Sequence, residues 1–367
     1  MPFGQKSYDD VTKFGYLTAE QALSDFAQLI TEMKKQDKYR NVPVIAMGGS
    51  YGGMLTAWMR QKYPNIIIGG LAASAPIFGF TGMRDCETFN RIATEAYAKS
   101  SSPACPNKVK GIWTKINDLA QTKKGLEKLS KYFRTCKPLQ EFDIPRDFLI
   151  DFLGSVAMVN YPYPTNFLYD LPGHPLRQFC EVLDSADGHD VEKFAKAFWS
   201  IFDSKQKLEC FDYGVQSGNG IDAMGWSYQS CMEMTIPMCA NNVNDMFPYN
   251  AWDFKEFNEE CTRSFGVVPR PGRAQLEWWG EDANDSLTNI IFSNGDLDPW
   301  SGLGVNETTK LKDSYYFRLP NGAHHLDLRE TNVADPEDVT KAREAYKSIF
   351  KLWIKEHYRK MNLKIHY

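Results

Sequence analysis

The stretch Val42-Pro43-Val44-Ile45-Ala46-Met47-Gly48-Gly49-Ser50-Tyr51-Gly52-Gly53 decides the fold, and a helical pattern follows it at 54–60. A β-strand that enters G-x-S-x-G and leaves as a helix sets its serine on a cramped turn. Glycines are expected there because neighbouring side chains would clash and part of the backbone needs φ > 0. The helix N-terminus would then face a developing oxyanion. Ser50 is therefore predicted to be a nucleophile, and a glycine-rich turn of another α/β protein is the alternative.

Composition narrows the class of protein. The chain has 367 residues, enough for one large domain or two with a substantial core. It is 43% hydrophobic and carries a formal net charge of -4. A compact globular protein without a nucleic-acid partner is expected. No apolar run approaches the about 18 residues of a membrane span, so no span is expected.

Eight cysteines lie between the elbow, as we call the turn at 48–53 that contains G-x-S-x-G, and the last quarter of the chain, at 86, 105, 136, 180, 210, 231, 239 and 261. None forms C-x-x-C, and no histidine lies at zinc-ligand spacing, so neither a metal site nor a cofactor is expected. The even count indicates four disulfides made in an oxidising compartment, with eight free thiols as the alternative. Glycosylation sequons begin at Asn284 and Asn306 and point the same way.

The N-terminal segment 1–6 is polar and has no apolar core of a signal peptide. A disulfide-bonded protein of the secretory route needs such a signal. We therefore expect that the true N-terminus is missing from this sequence.

Periodicity outlines the remaining elements. Thr18 with Gln21 forms a capping box that opens a helix to about Lys35. Buried strands are predicted at 42–47, 66–76, 288–293 and 314–319. Helical periodicity recurs at 89–99, 108–119, 125–133 and 191–202, and a closing helix spans 336–357.

These elements predict an α/β-hydrolase fold with a large helical, disulfide-bonded cap insertion. Residues 1–79 would form the first part of the hydrolase domain, 80–279 the cap, and 280–367 the second part with acid and base. The nucleophile strand of this fold normally follows several earlier strands. The N-terminal strands are therefore expected to be missing.

A serine nucleophile needs a general base and a carboxylate that fixes the tautomer of that base. The chain order in α/β-hydrolases is Ser, Asp, His. Asp298 follows the strand predicted at 288–293, where the acid loop belongs, and Asp296 is a rival two residues earlier. His324 and His325 directly follow the strand at 314–319, so one is the base and the other supports it or tunes its pKa.

Six segments resemble the serine peptidase family that contains lysosomal Pro-X carboxypeptidase and dipeptidyl peptidase II. They are GGSYGGMLTAWMRQKYP, LAASAPI, NYPYPTNFL, GWSYQSCMEM, FSNGDLDPWSG and GAHHLDLR. The resemblance implies Ser50 as nucleophile, Asp298 as acid and His324 as base. It also implies the disulfides Cys86–Cys239, Cys105–Cys180, Cys136–Cys210 and Cys231–Cys261.

Two positions bear on the substrate. The aminodipeptidases of this family look like GRSYGG at the elbow and carry an acidic residue in WDYQ, which suits a substrate ammonium group. This chain has Gly49 and the neutral Ser227 instead, so the Pro-X carboxypeptidase pattern fits better. Met54 and Trp300 are candidates for an apolar proline pocket, with ordinary core residues as the alternative.

The expected function is release of a C-terminal residue after a penultimate proline, through an acyl-enzyme. The expected partners are peptides with proline near the terminus; a homodimer is one possible assembly, and the compartment is lysosomal or secreted. The Tyr51 N–H would be one oxyanion donor, and the loop that normally supplies the second would precede this chain. The alternatives are an aminodipeptidase of the same family and a truncated form that only binds.

Overall fold

The computed structural model describes residues 3–8, 10–205, 207–213, 223–278, 287–306, 309, 311 and 313–361. Within them lies a four-stranded sheet with the order β1-β2-β3-β4, in which every pair is parallel. The strands are β1 Ile45–Gly49, β2 Gly69–Ala73, β3 Ile290–Gly295 and β4 Ser314–Leu319. Because all pairs are parallel, the four carboxyl ends meet at one edge of the sheet.

Twelve α-helices occur in the described part of the chain. They are α1 Ala19–Lys34, α2 Tyr51–Lys62, α3 Thr88–Ser100, α4 Ala104–Ala120, α5 Lys123–Tyr132, α6 Asp143–Met158, α7 Pro175–Ser185, α8 Asp190–Phe202, α9 Ala223–Met232, α10 Phe254–Phe265, α11 Arg273–Trp278 and α12 Glu337–Lys360. Short 3-10 helices include Pro299–Leu303 and Leu326–Leu328. No described helix is both long and apolar enough to cross a membrane.

Helices cover both faces of the sheet. A Cβ added to Gly69 would lie 2.4 Å from Trp353 Cε3 on α12, whereas one added to Gly70 would lie 2.8 Å from Thr56 Cγ2 on α2. Consecutive strand residues point to opposite faces, so α2 and α12 lie on opposite sides. The central strands β2 and β3 are thus buried on both faces, which is typical of parallel strands. The outer strands β1 and β4 are less buried than the sequence predicts, because each has a neighbouring strand on one side only in the described sheet.

The segment between β2 and β3 is helical and rich in buried aromatic rings, among them Phe133, Phe152, Phe194, Phe198 and Phe211. All eight cysteines lie in this segment and each forms a disulfide. The pairs are those that the family resemblance implies: Cys86–Cys239, Cys105–Cys180, Cys136–Cys210 and Cys231–Cys261. The covalent cross-links are therefore confined to 86–261.

Strands β1 and β2 begin three residues later than the sequence predicts and β3 begins two residues later, because the backbone before each strand bonds elsewhere. The Val42 N–H donates to the Tyr39 carbonyl at 3.1 Å, which makes a turn, and β1 starts at Ile45. The Ile67 carbonyl accepts from Arg60 Nη1 at 2.8 Å, and β2 starts at Gly69. Before β3, the Thr288 carbonyl accepts from Arg60 Nε at 2.7 Å.

The capping box at α1 is only half formed. Thr18 Oγ1 accepts from the Gln21 N–H at 3.1 Å, as predicted. The Gln21 side chain does not complete the box, because its Nε2 donates to Asp25 Oδ1 at 2.7 Å. The N–H of Ala19, the first residue of the helix, donates to Glu233, which lies 214 residues away in the sequence.

Candidate active site

Ser50 lies on the turn between β1 and α2 with φ 57° and ψ -128°. Its N–H donates to the Ala73 carbonyl at the end of β2, at 2.9 Å. Its carbonyl accepts from Gly53 and Met54 N–H at 2.9 and 3.1 Å and so opens α2. Positive φ at a non-glycine residue is strained and persists only where the surroundings hold it. The hydrogen bonds on both sides provide that hold.

The glycines of the elbow supply room and not positive φ. A Cβ on Gly48 would lie 2.1 Å from the Gly52 carbonyl oxygen, and one on Gly49 would lie 2.9 Å from the His325 side chain. A Cβ on Gly53 would lie 2.9 Å from the Ala73 carbonyl oxygen. The expected clash is therefore present, whereas the expected positive φ falls on Ser50 itself.

The carboxylate of Asp298 lies three residues beyond the end of β3 and is fully buried. Its Oδ1 accepts from the Trp300 N–H at 3.0 Å, which starts the 3-10 helix 299–303. Its Oδ2 lies 2.8 Å from His324 Nδ1. The rival Asp296 instead forms a two-pronged pair with Arg318, at 2.7 and 2.8 Å.

The imidazole of His324 is fully buried and is held at three points. The backbone N–H of His324 donates to the Met158 carbonyl at 3.0 Å, and the backbone carbonyl of His324 accepts from Tyr161 Oη at 3.0 Å. The third point is the contact between its ring and Asp298. Because a carboxylate only accepts, the pairing with Asp298 puts the proton on Nδ1. Nε2 then carries the lone pair, and this buried atom has no hydrogen-bond partner among the described residues. The geometry suits a general base.

His325 lies beside His324 and has a different environment. Its N–H donates to Ser74 Oγ at 2.8 Å, and its ring centroid lies 4.4 Å from that of His324. Burial, followed by the neighbouring His324, lowers the pKa of His325 to about 3. The ring is therefore neutral across the ordinary pH range, and it packs edge-on against Phe167.

The structure separates the three residues predicted to contact substrate. Trp300 is half-buried, with its ring centroid 6.5 Å from that of His324, and its Nε1 donates to Met158 Sδ at 2.8 Å. Met54 is fully buried in the core between α1, α2 and the sheet. Ser227 is exposed on α9. Among the described contacts of these three residues, Trp300 is thus the one that has a contact with His324.

Several residues at the site have no role in the sequence-based prediction. Met158, Tyr161 and Ser74 bond the backbone of the two histidines. Tyr161 belongs to the segment NYPYPTNFL, which is part of the family resemblance. The resemblance therefore marks this segment, but it does not predict that Tyr161 bonds His324. Met158 lies at the end of α6, where the sequence gives no comparable signal.

Two further predictions concern modification and metal. Asn306 is half-buried, whereas Asn284 lies outside the described residues. Over the portion of the chain that is described, no cluster of three or more His, Cys, Asp or Glu side chains could hold a metal ion.

A serine on a strained turn, a base with a free lone pair and a buried carboxylate lie at the same edge of the sheet. Such a set of groups can carry out acyl transfer through a covalent intermediate. Ser50, Asp298 and His324 follow the carboxyl ends of β1, β3 and β4. Met158 and Tyr161, which bond the backbone of His324, belong to the helical segment.

Comparison with known proteins identifies the family. The sequence profile described as "Serine carboxypeptidase S28" matches residues 1–346. Lysosomal Pro-X carboxypeptidase of Bos taurus is 40% identical and is matched over 99% of this chain and 74% of its own length. The Homo sapiens protein of that name is 40% identical over 98% and 73%, and prolyl carboxy peptidase like protein 5 of Caenorhabditis elegans is 35% identical over 97% and 74%. This chain therefore belongs to the serine carboxypeptidase S28 family of serine-type peptidases.

Proposed function

We propose that this chain is a Pro-X carboxypeptidase, which releases the C-terminal residue of peptides whose penultimate residue is proline. The observation that carries the proposal is the buried pair of Asp298 Oδ2 and His324 Nδ1 at 2.8 Å, at the same edge of the sheet as an elbow serine at φ 57°. The relatives named Pro-X carboxypeptidase, at about 40% identity, support the substrate class.

The reaction would proceed in two steps, acylation of Ser50 and hydrolysis of the acyl-enzyme. Ser50 Oγ attacks the carbonyl carbon of the proline residue while His324 Nε2 takes the hydroxyl proton. The imidazolium then protonates the leaving amino group, so the C–N bond breaks and the C-terminal amino acid departs. Water attacks the acyl-enzyme by the same route and gives its proton to Nε2, which returns it to Ser50. Asp298 keeps the proton on Nδ1 and stabilises the imidazolium throughout.

The Tyr51 N–H would donate to the oxyanion of the tetrahedral intermediate. It belongs to the first residue of α2, whose leading N–H groups have no partner within the helix. The positive end of the helix dipole adds to the attraction. Loss of one oxyanion donor typically lowers kcat by ~10²–10³-fold.

Trp300 would form a flat wall of the proline pocket. Its ring is fixed by Phe89, at 4.9 Å between centroids, and by the bond to Met158 Sδ. An aromatic face suits a proline ring, because both are rigid and apolar. Met54 is fully buried in the core, which favours the alternative that it is an ordinary core residue.

Two features favour a carboxypeptidase over an aminodipeptidase. Ser227 is neutral and exposed, so it offers a substrate ammonium no carboxylate. Gly49 has no room for a longer side chain, because His325 fills the space next to it.

We also propose that residues 80–279 act as a cap on a hydrolase domain formed by 1–79 and 280–367. The confinement of all four disulfides to 86–261 supports this division. The disulfides and the lysosomal relatives support a lysosomal or secreted location. The homodimer stays a prediction, which sedimentation velocity would test.

Labelling with a fluorophosphonate probe tests the nucleophile. We expect the wild-type chain to be labelled at Ser50 and Ser50→Ala to remain unlabelled, with peptide mapping as the readout. Ser74→Ala is the matched control, because Ser74 also lies at a strand end with positive φ but bonds the backbone of His325. Labelling of the wild type at another serine would contradict the proposal.

Product analysis tests the substrate class. A peptide that ends in Pro-X and begins with X-Pro should lose only its C-terminal residue, as read by mass spectrometry. A matched peptide with alanine in place of the penultimate proline should be cleaved much more slowly. Release of only the N-terminal dipeptide would show that the aminodipeptidase alternative is correct.

A further inference from the structure

The carboxylate of Glu233 lies next to the elbow and takes no part in the reaction described above. It is only 6% exposed, and both of its oxygens accept from the Ala19 N–H, at 2.9 and 3.1 Å. Gln229 Nε2 donates to Glu233 Oε1 at 3.2 Å and to Tyr51 Oη at 3.0 Å. Tyr51 Oη itself lies 3.4 Å from Glu233 Oε1. One carboxylate thus connects the start of α1, the end of α9 and the first residue of α2.

The charged side chains that act on Glu233 are Glu20 and Arg273, and these two pair with each other. Burial raises the pKa of Glu233 to about 7. Burial and then Glu233 raise the pKa of the Tyr51 phenol above its ordinary value, and the same two causes, burial first, raise the pKa of Tyr228. The Tyr51 phenol therefore keeps its proton and remains a hydrogen-bond donor.

The hydrogen bonds of Glu233 and Gln229 reach the residue next to the proposed nucleophile. Tyr51 follows Ser50, whose strained φ of 57° needs support from its surroundings. The rings of Trp58 and Trp226 pack edge-on against Tyr51, with centroids 6.4 and 5.5 Å away. Ring packing is weakly directional, whereas the phenol is fixed at one point, because it accepts a hydrogen bond from Gln229 Nε2 and donates one to Glu233 Oε1. A fixed side chain restricts the backbone that carries it.

We propose that Glu233, with Gln229 as the bridge, is a positioning residue that orients the Tyr51 N–H for the oxyanion. The proposal rests on the proposed function, because it takes Ser50 as the nucleophile. It states in addition that the rate of acyl transfer depends on Glu233, although this residue does not touch the substrate.

A double-mutant cycle with Glu233→Gln and Tyr51→Phe tests this coupling. Each single variant should lower kcat about 10-fold with KM unchanged, which is less than the ~10²–10³-fold cost of losing a donor outright. Because both act through one contact, the double variant should also lose only about 10-fold. Y51F leaves the Glu233–Ala19 bonds intact, so it reports even if E233Q folds poorly. Losses that multiply to about 100-fold, or a rise in KM at constant kcat, would overturn the proposal.

Thr18→Ala is the matched control for stability. It removes the cap of α1 without touching Glu233 or Tyr51, so the melting temperature should fall by a few degrees while kcat stays constant. A fall in kcat equal to that of E233Q would assign the effect to α1 stability and overturn the proposal. Fluorophosphonate labelling distinguishes a failure of the proposed function from a failure of this inference. An unlabelled wild type overturns the proposed function and this inference, whereas a labelled, active wild type with a fully active E233Q overturns the inference alone.

Discussion

The ends of the parallel strands carry the side chains that we propose to react, whereas the helical segment 86–261 carries the disulfides. Ser50, Asp298 and His324 all follow the carboxyl ends of strands, in a region without a cysteine. The helical segment contributes Met158 and Tyr161, which bond the backbone of His324. The side chains proposed to react and most of the groups that position them therefore come from different parts of the chain. Variants at the strand ends should change turnover. Variants in the helical segment should mainly change stability, except at residues that bond the site, such as Tyr161 and Glu233.

The largest expected effect comes from the acid at the sheet edge. Asp298→Asn should lower kcat about 10⁴-fold with little change in melting temperature, because the amide can donate to Nδ1 and select the wrong tautomer of His324. Steady-state kinetics with a Pro-X peptide measures this. Asp296→Asn is the matched control: it breaks only the exposed pair with Arg318, so kcat should stay within twofold. Equal losses in both variants would contradict the assignment of the acid.

Removal of a disulfide tests the helical segment. The double variant Cys105→Ser, Cys180→Ser should lower the free energy of unfolding by about 2–5 kcal/mol, because a cross-link over 75 residues no longer restricts the unfolded chain. Denaturant titration gives the free energy, and kcat per fluorophosphonate-labelled site gives the activity of the folded fraction. That activity should not change. A lower kcat per labelled site would show that the cross-link also positions the reacting groups.

His325 gives a pH-dependent contrast within the sheet region. Its folded pKa is about 3, below the ordinary 6.5, so between these pH values only the unfolded chain binds a proton there. Stability should therefore fall as the pH falls through this window, by at most about 1.4 kcal/mol per pH unit. His325→Asn, which tolerates the left-handed backbone at φ 40°, should lose less stability between pH 6.5 and 4.5. Denaturant titration at both pH values measures the difference, and exposed His189→Asn should behave like the wild type.

The smallest expected effect concerns the contact between the two regions. Tyr161→Phe removes the hydrogen bond to the His324 carbonyl and should lower stability by about 1 kcal/mol, with a few-fold loss of kcat. Tyr97→Phe is the control, because this buried phenol also donates to a backbone carbonyl, that of Leu153, away from the histidines. It should lower stability alone. A loss of kcat in Y97F as large as in Y161F would show that the contact with His324 is not special.

The elbow and the strand ends were predictable because their signals are local. A strand, G-x-S-x-G and a helix lie within 20 residues, and Asp298 and His324 follow predicted strands in the expected order. The helices α6, α7 and α9–α11 are absent from the sequence-based expectations. Helix α11 has only six residues and α9 has no distinct apolar face, whereas α7 and α10 are amphipathic and their periodicity was detectable. Glu233 could not be predicted to contact Ala19, because a fold-dependent contact over 214 residues leaves no local pattern.

The bond between the His324 N–H and the Met158 carbonyl has a mechanical consequence for access to the site. Met158 ends α6, and its sulfur also accepts from Trp300. A hinge motion that lifted α6 would pull on the backbone of the base and on the ring beside it. A ligand that wedged α6 away from the sheet would therefore inactivate the enzyme at a distance, without occupying the space in front of Ser50.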